Sequence, residues 1–155
     1  MPHEALETAC LTIVGEILDD IAAALDDCDD ATVNARPEVP GVNSVYALVA
    51  HLDGVVADWG GNLVAGETLA RDRDAEFAAV GTVDQARDLL SRIRERLPRY
   101  VHRALTEGIA APTAIASTRT DAADSSPEFV VLHLLRELAQ HTGQLQVCRD
   151  VVTGP

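Results

Sequence analysis

The chain has 155 residues and a formal charge of −13, with 25 acidic residues against 12 basic ones, all of them arginine; 47% of it is apolar and only 3% aromatic. So acidic a chain is repelled by phosphate backbones and anionic lipid surfaces, so no nucleic acid and no membrane is expected as a partner. The length suits one domain, residues 1–155, and the aliphatic, aromatic-poor composition favours an all-α core over a β-sandwich.

Leu6, Ala9, Cys10, Ile13, Ile17, Ile21, Ala24 and Cys28 recur every three or four residues, which predicts an apolar stripe on a first helix over about 4–29. Asp26, Asp27, Asp29 and Asp30 crowd its end and oppose the helix dipole. A calcium loop does not explain them: the turn glycine is missing and alternate ligand positions hold Ala and Val. Pro37, Pro40 and Gly41 mark a connection, after which Asn43 or Ser44 can cap a second helix reaching about Gly66. Its core stripe is Val45, Leu48, Val49, Leu52, Val56, Trp59 and Leu63. His51 lies beside that stripe, and Asp58 and Asn62, further along, are expected to face solvent.

The stretch around Arg71, Asp72, Arg73 and Asp74 reads as a polar connection. From Val83 to about Glu107, Ala86, Leu89, Leu90, Ile93, Leu97, Val101 and Leu105 predict a third helix, kinked near Pro98. Arg92, Arg94, Arg96, Arg99 and Arg103, interspersed with Asp88, Glu95 and Glu107, form a solvated, ion-paired face rather than a nucleic-acid patch. Residues 108–126 read as a long loop. Ser125 or Ser126 followed by Pro127 starts a fourth helix ending near Val152. Four helices with two long connections predict a four-helix bundle. Few aromatics leave such a bundle open to pairing as a homodimer. Cys10, Cys28 and Cys148 are too few and too irregularly spaced for a disulfide framework or a thiolate zinc site, and are expected to be reduced and partly buried. No apolar run approaches the roughly 20 residues that span a bilayer, and the start of the chain has no signal-peptide pattern, so the expected location is the cytoplasm.

His133, Glu137 and His141 follow one another at intervals of four on the fourth helix and share roughly one face. Such a spacing advances ~6 Å along the axis, within reach of one ion held by ~2.0–2.2 Å bonds, whereas the outer two histidines stand ~12 Å apart. The pair is therefore Glu137 with His141 or His133 with Glu137, and a third ligand must come from another helix, where His51 is the only histidine of helix two. Two histidines and one carboxylate leave positions open for water or substrate, which is the pattern of a catalytic site. The competing reading of the same spacing is a surface charge pair.

The stretch from Asn43 to Leu52, NSVYALVAHL, is similar to the second-helix motif of the DinB-like superfamily, and that from His133 to Gln144, HLLRELAQHTGQ, is similar to its fourth-helix motif. In much of that superfamily three histidines bind a metal; in the branch resembling mycothiol-dependent maleylpyruvate isomerase, a glutamate replaces the middle one, as Glu137 does here. The resemblance implies a metal site of His51, Glu137 and His141, with His133 and Gln144 as neighbouring pocket residues. Zinc leads, with iron or nickel as alternatives. It also implies thiol chemistry: a metal-dependent transferase that activates a low-molecular-weight thiol, mycothiol in actinobacteria, for S-transfer to an electrophile. The chain closes at Pro155, directly after helix four, so general S-transfer is expected rather than the isomerase reaction. Cys148, ~10 Å beyond His141 along the helix, is expected to pack in the core. The rival from another class is a non-catalytic metal-binding bundle acting as a sensor or interaction module.

Overall fold

The computed structural model describes residues 2–114 and 125–154, so much of the loop expected over 108–126 lies outside the described residues. Among the described residues every regular element is helical: α1 (Pro2–Asp26), α2 (Val45–Val55) passing directly into a π-helical segment (Val56–Val64), a short α3 (Arg73–Ala78), α4 (Val83–Glu107) and α5 (Pro127–Thr153). The fold is an all-α bundle in which α4 and α5 touch each other, α1 and α2 each pack on both, and α3 packs on α2.

The helix starts follow local chemistry. Ser44 Oγ accepts from the Ala47 N–H at 3.1 Å, and Ser126 caps α5 with Pro127 at the first helical position. Thr82 and Gln85 form a reciprocal capping box at α4. The acidic run after α1 has a structural use: Asp29 Oδ1 accepts from the Ala31 and Thr32 N–H groups, and Asp30 Oδ1 accepts from the Val83 N–H at 2.9 Å, satisfying a donor of the α4 first turn. α4 runs through Pro98, which removes one intrahelical hydrogen bond without ending the helix.

The stripe expected on α2 is buried in full, and that on α4 is buried except for the half-buried Leu89. On α1 the buried line is Cys10, Val14, Leu18, Ile21, Ala24 and Leu25, whereas Ile13 is exposed and Ile17 only half-buried. Periodicity had centred the stripe on those two isoleucines. The helix is apolar over two adjoining lines, and contact with α4 and α5 selects the one through Val14 and Leu18. The arginines of α4 also pair partly across helices: Arg92 with Asp53 and Arg94 with Asp19, while Arg103 pairs with Glu107 within α4.

α2 and α5 run antiparallel in a fixed register. The Cys148 thiol donates to the Asn43 carbonyl oxygen at 3.2 Å, the His51 and His141 rings meet at 4.6 Å, and Trp59 meets His133 at 4.1 Å. The π-helical segment carries the α2 line to Trp59, and its last turn closes with the Ala65 N–H donating to the Gly60 carbonyl oxygen at 3.0 Å. Gly60 has a packing reason: a Cβ there would overlap the Tyr100 ring of α4. Gly60→Ala, which in an open helix would favour folding by roughly 1 kcal/mol, should instead destabilise by ~1–3 kcal/mol through overpacking, read as a lower urea midpoint with an unchanged m value.

Candidate metal centre

α2, α3, α5, the π-helical segment and one loop build the site. α2 presents His51, 3% exposed, and α5 presents Glu137 and His141 across from it. One donor atom from each of the three lies within 4.8 Å of the other two. Glu137 stands between two histidines of its own helix, with Oε2 3.3 Å from His141 Nε2 and Oε1 3.6 Å from His133 Nε2. Of the two pairings the spacing allowed, the structure gathers Glu137 and His141 with His51. His133 stays outside that group, its ring against Trp59 and parallel to Phe129 at 6.0 Å. Gln144 Oε1 lies 2.7 Å from His141 Nδ1, so the residue expected beside the site touches one of its members.

The orientation of His51 is set from behind. Its Nδ1 lies 2.8 Å from Glu76 Oε2, and its ring stacks on Phe77 at 4.4 Å; both partners belong to α3. Arg71, in the loop before α3, donates from Nε to Glu76 Oε1 at 2.8 Å and from Nη1 to Asp58 Oδ2 at 3.0 Å. Asp58 comes from the π-helical segment and is fully buried. Asn62, one turn on, bonds Asp58 and both the N–H and the carbonyl oxygen of Leu69, which fastens the loop that carries Arg71. Asp58 and Asn62, expected to face solvent, are thus interior. Their polarity suggested exposure, but they serve a loop folded over them.

Burial alone would push the Glu76 carboxyl up; the hydrogen bonds from His51 and Arg71, helped by the Arg71 charge, hold it below the usual glutamate value. An ionised carboxylate only accepts, so the His51 nitrogen facing it, Nδ1, is the donor, and a ring protonated there alone leaves the Nε2 lone pair for the cluster. Glu137 is also held below its usual value, first by the hydrogen bond with His141, against partial burial and with help from the nearby His133. Both carboxylates therefore stay ionised at neutral pH. Gly54, one turn after His51, leaves the space the Glu76 carboxylate occupies, since a Cβ there would overlap its Oε1.

Glu76, Arg71 and Phe77 were not singled out from the sequence. Asp72, whose side chain accepts from the Ala75 N–H, was the available signal that a short helix starts there. Cys148 is buried, as its place on α5 suggested, and burial pushes its thiol up.

These features define a class: an all-helical bundle with a His, Glu, His donor group shared between two antiparallel helices. The sequence matches the Mycothiol-S-transferase family over residues 11–154, and the chain belongs to that family. No curated protein and no solved structure matches it.

Glu76→Ala should free the His51 ring, so that nitrogen-15 NMR of the metal-free protein shows a mixture of tautomers in place of the single Nδ1–H form expected for the wild type.

Proposed function

We propose that His51, Glu137 and His141 hold one divalent metal ion, zinc first and iron or nickel as alternatives, and that the protein uses it to transfer mycothiol sulfur to an electrophile. The observation that carries this reading is the donor group itself: two imidazoles and an ionised carboxylate converging from two helices, with the His51 Nδ1 already engaged by Glu76. A histidine whose other nitrogen donates to a carboxylate is the usual partner arrangement of a metal-binding imidazole, fixing tautomer and ring direction together. Donors around one zinc at ~2.1 Å stand roughly 3–4 Å apart, so the widest pair, 4.8 Å at most, needs only a small side-chain rotation to close. The residues fit the ion.

Three protein ligands leave at least one position open, and a metal held there lowers the pKa of a thiol that reaches it, so that thiolate is available at neutral pH. The chain's own residues do the rest. Glu76 keeps the His51 lone pair turned inward, Arg71 and Asp58 keep Glu76 in place, and with an ion on Nε2 the His141 ring would donate from Nδ1 to Gln144 Oε1. The buried apolar surroundings of α2 exclude water from one side. In the transfer, the thiolate sulfur forms a bond to an electrophilic carbon, and the electrons displaced from that carbon leave with a departing group or take up the proton the thiol gave away. The reading treats residues 1–155 as one domain acting in the cytoplasm, where small thiols are kept reduced.

Metal analysis by plasma mass spectrometry should find close to one ion per wild-type chain and none in His51→Ala, while Glu76→Ala keeps the site but loses ~10–100-fold in metal affinity. Turnover of monochlorobimane with mycothiol should follow metal content across the three proteins. Metal without turnover would instead favour a non-catalytic metal-binding module; no metal after reconstitution would overturn the reading.

A further inference from the structure

One cavity lies on the α2–α5 seam a single turn from the donor group. It measures about 400 Å3 and is walled by Val42, Leu48, Gly143, Gln144, Val147 and Cys148, with Gly41 and Asn43 completing it. The antiparallel register explains its position. Moving from His51 to Leu48 on α2 is matched by moving from His141 to Gln144 on α5, and the floor closes where the Cys148 thiol meets the Asn43 carbonyl oxygen. Its volume is in the range of small-molecule sites, and the wall is mainly aliphatic side chains and glycine, with no charged side chain in it. Val147, at the mouth, is exposed.

Gln144 links the cavity to the centre. Its Oε1 is taken by His141 Nδ1, and a His141 ring that offers Nε2 to a metal must donate from Nδ1, which fixes the amide with its oxygen toward the histidine. The NH2 end of this exposed side chain is then open to solvent and to whatever occupies the cavity that Gln144 lines. The cavity thus carries two side-chain amides, Gln144 and Asn43, whose Oδ1 accepts from Arg36, and no charged group; amide donors beside mainly aliphatic walls, close to the point where the thiol sulfur would be presented, suit an uncharged molecule with an acceptor oxygen.

We propose, on the basis of the thiol-transferase reading above, that this cavity binds the electrophile, and that the electrophile is a small, uncharged, largely apolar compound with a carbonyl conjugated to its reactive carbon, such as an α,β-unsaturated ketone. The apolar part lies against Val42, Leu48 and Val147, and the oxygen accepts from the Gln144 amide. Thiolate addition then forms the carbon–sulfur bond at the far carbon of the double bond, the π electrons move to the carbon beside the carbonyl, and the proton released by the thiol ends there. No other reactant is consumed.

The test uses benzylacetone, the saturated and unreactive counterpart of benzylideneacetone, titrated into the full-length metal-loaded protein and followed by methyl NMR. The Val42, Leu48 and Val147 methyls should shift together. A Cβ at Gly143 meets nothing within 4 Å, so Gly143→Leu is tolerated by the helix and places its side chain in the cavity mouth. It should weaken benzylacetone roughly tenfold or more and raise KM for benzylideneacetone in parallel, with metal content unchanged. Metal bound normally but no shifts at these methyls, or undiminished binding in Gly143→Leu, overturns the inference alone. A wild-type chain that holds no metal at His51, Glu137 and His141 overturns the underlying reading, and the substrate assignment falls with it.

Discussion

A single guanidinium, Arg71, ties the site to the fold. It bridges the buried Asp58 of the π-helical segment and Glu76 of α3, and Glu76 in turn holds His51. Each member of this line has its charge or polarity met by the next, so removing one leaves a buried group unpaired, an effect of ~3–5 kcal/mol in comparable buried pairs. Burial would lower the Arg71 pKa, but the two carboxylates raise it above the usual arginine value, so it remains charged at any working pH. The direction of one imidazole thus depends on residues from the π-helical segment, a loop and α3. These elements would otherwise have little reason to meet, since α3 contributes no residue to the buried core.

The same dependence explains the π-helical segment. Its wider turn places Asp58 beneath Arg71, Asn62 beneath Leu69 and Trp59 against His133, while Gly60 and Gly61 let Tyr100 and Leu69 approach the backbone. Irregular helical turns of this kind are frequent near functional sites because they re-aim side chains that a regular helix would point elsewhere. The α2–α5 register then sets the donor group at one level and the cavity at the next. The proposed metal site and the proposed electrophile cavity would therefore share the same pair of helices, with Gly41, Val42 and Asn43 of the preceding connection closing the cavity.

Much of this was legible in the sequence where the signal is periodic or local. Four long helices, the caps at Ser44 and Ser126, the α2 core stripe and the grouping of His51 with Glu137 and His141 all come from spacing, capping chemistry and family motifs. The rest depends on contacts between segments distant in sequence. Periodicity could not decide which of two adjoining apolar lines on α1 faces inward, because both satisfy it and packing makes the choice. Asp58 and Asn62 looked solvated because their partners, Arg71 and Leu69, come from a polar stretch with no periodicity of its own. Glu76 was invisible for the same reason: a carboxylate in a six-residue helix acquires meaning only when α3 lies on α2.

The central claim is that the His, Glu, His group holds a metal to which a thiol sulfur gains access. X-ray absorption fine structure at the metal edge, recorded with and without mycothiol, tests it most directly. The account predicts two imidazoles and one carboxylate oxygen at ~2.0–2.2 Å in the resting protein, and a new sulfur scatterer at ~2.3 Å on adding the thiol. A shell without imidazole, or one that mycothiol leaves unchanged, would contradict it.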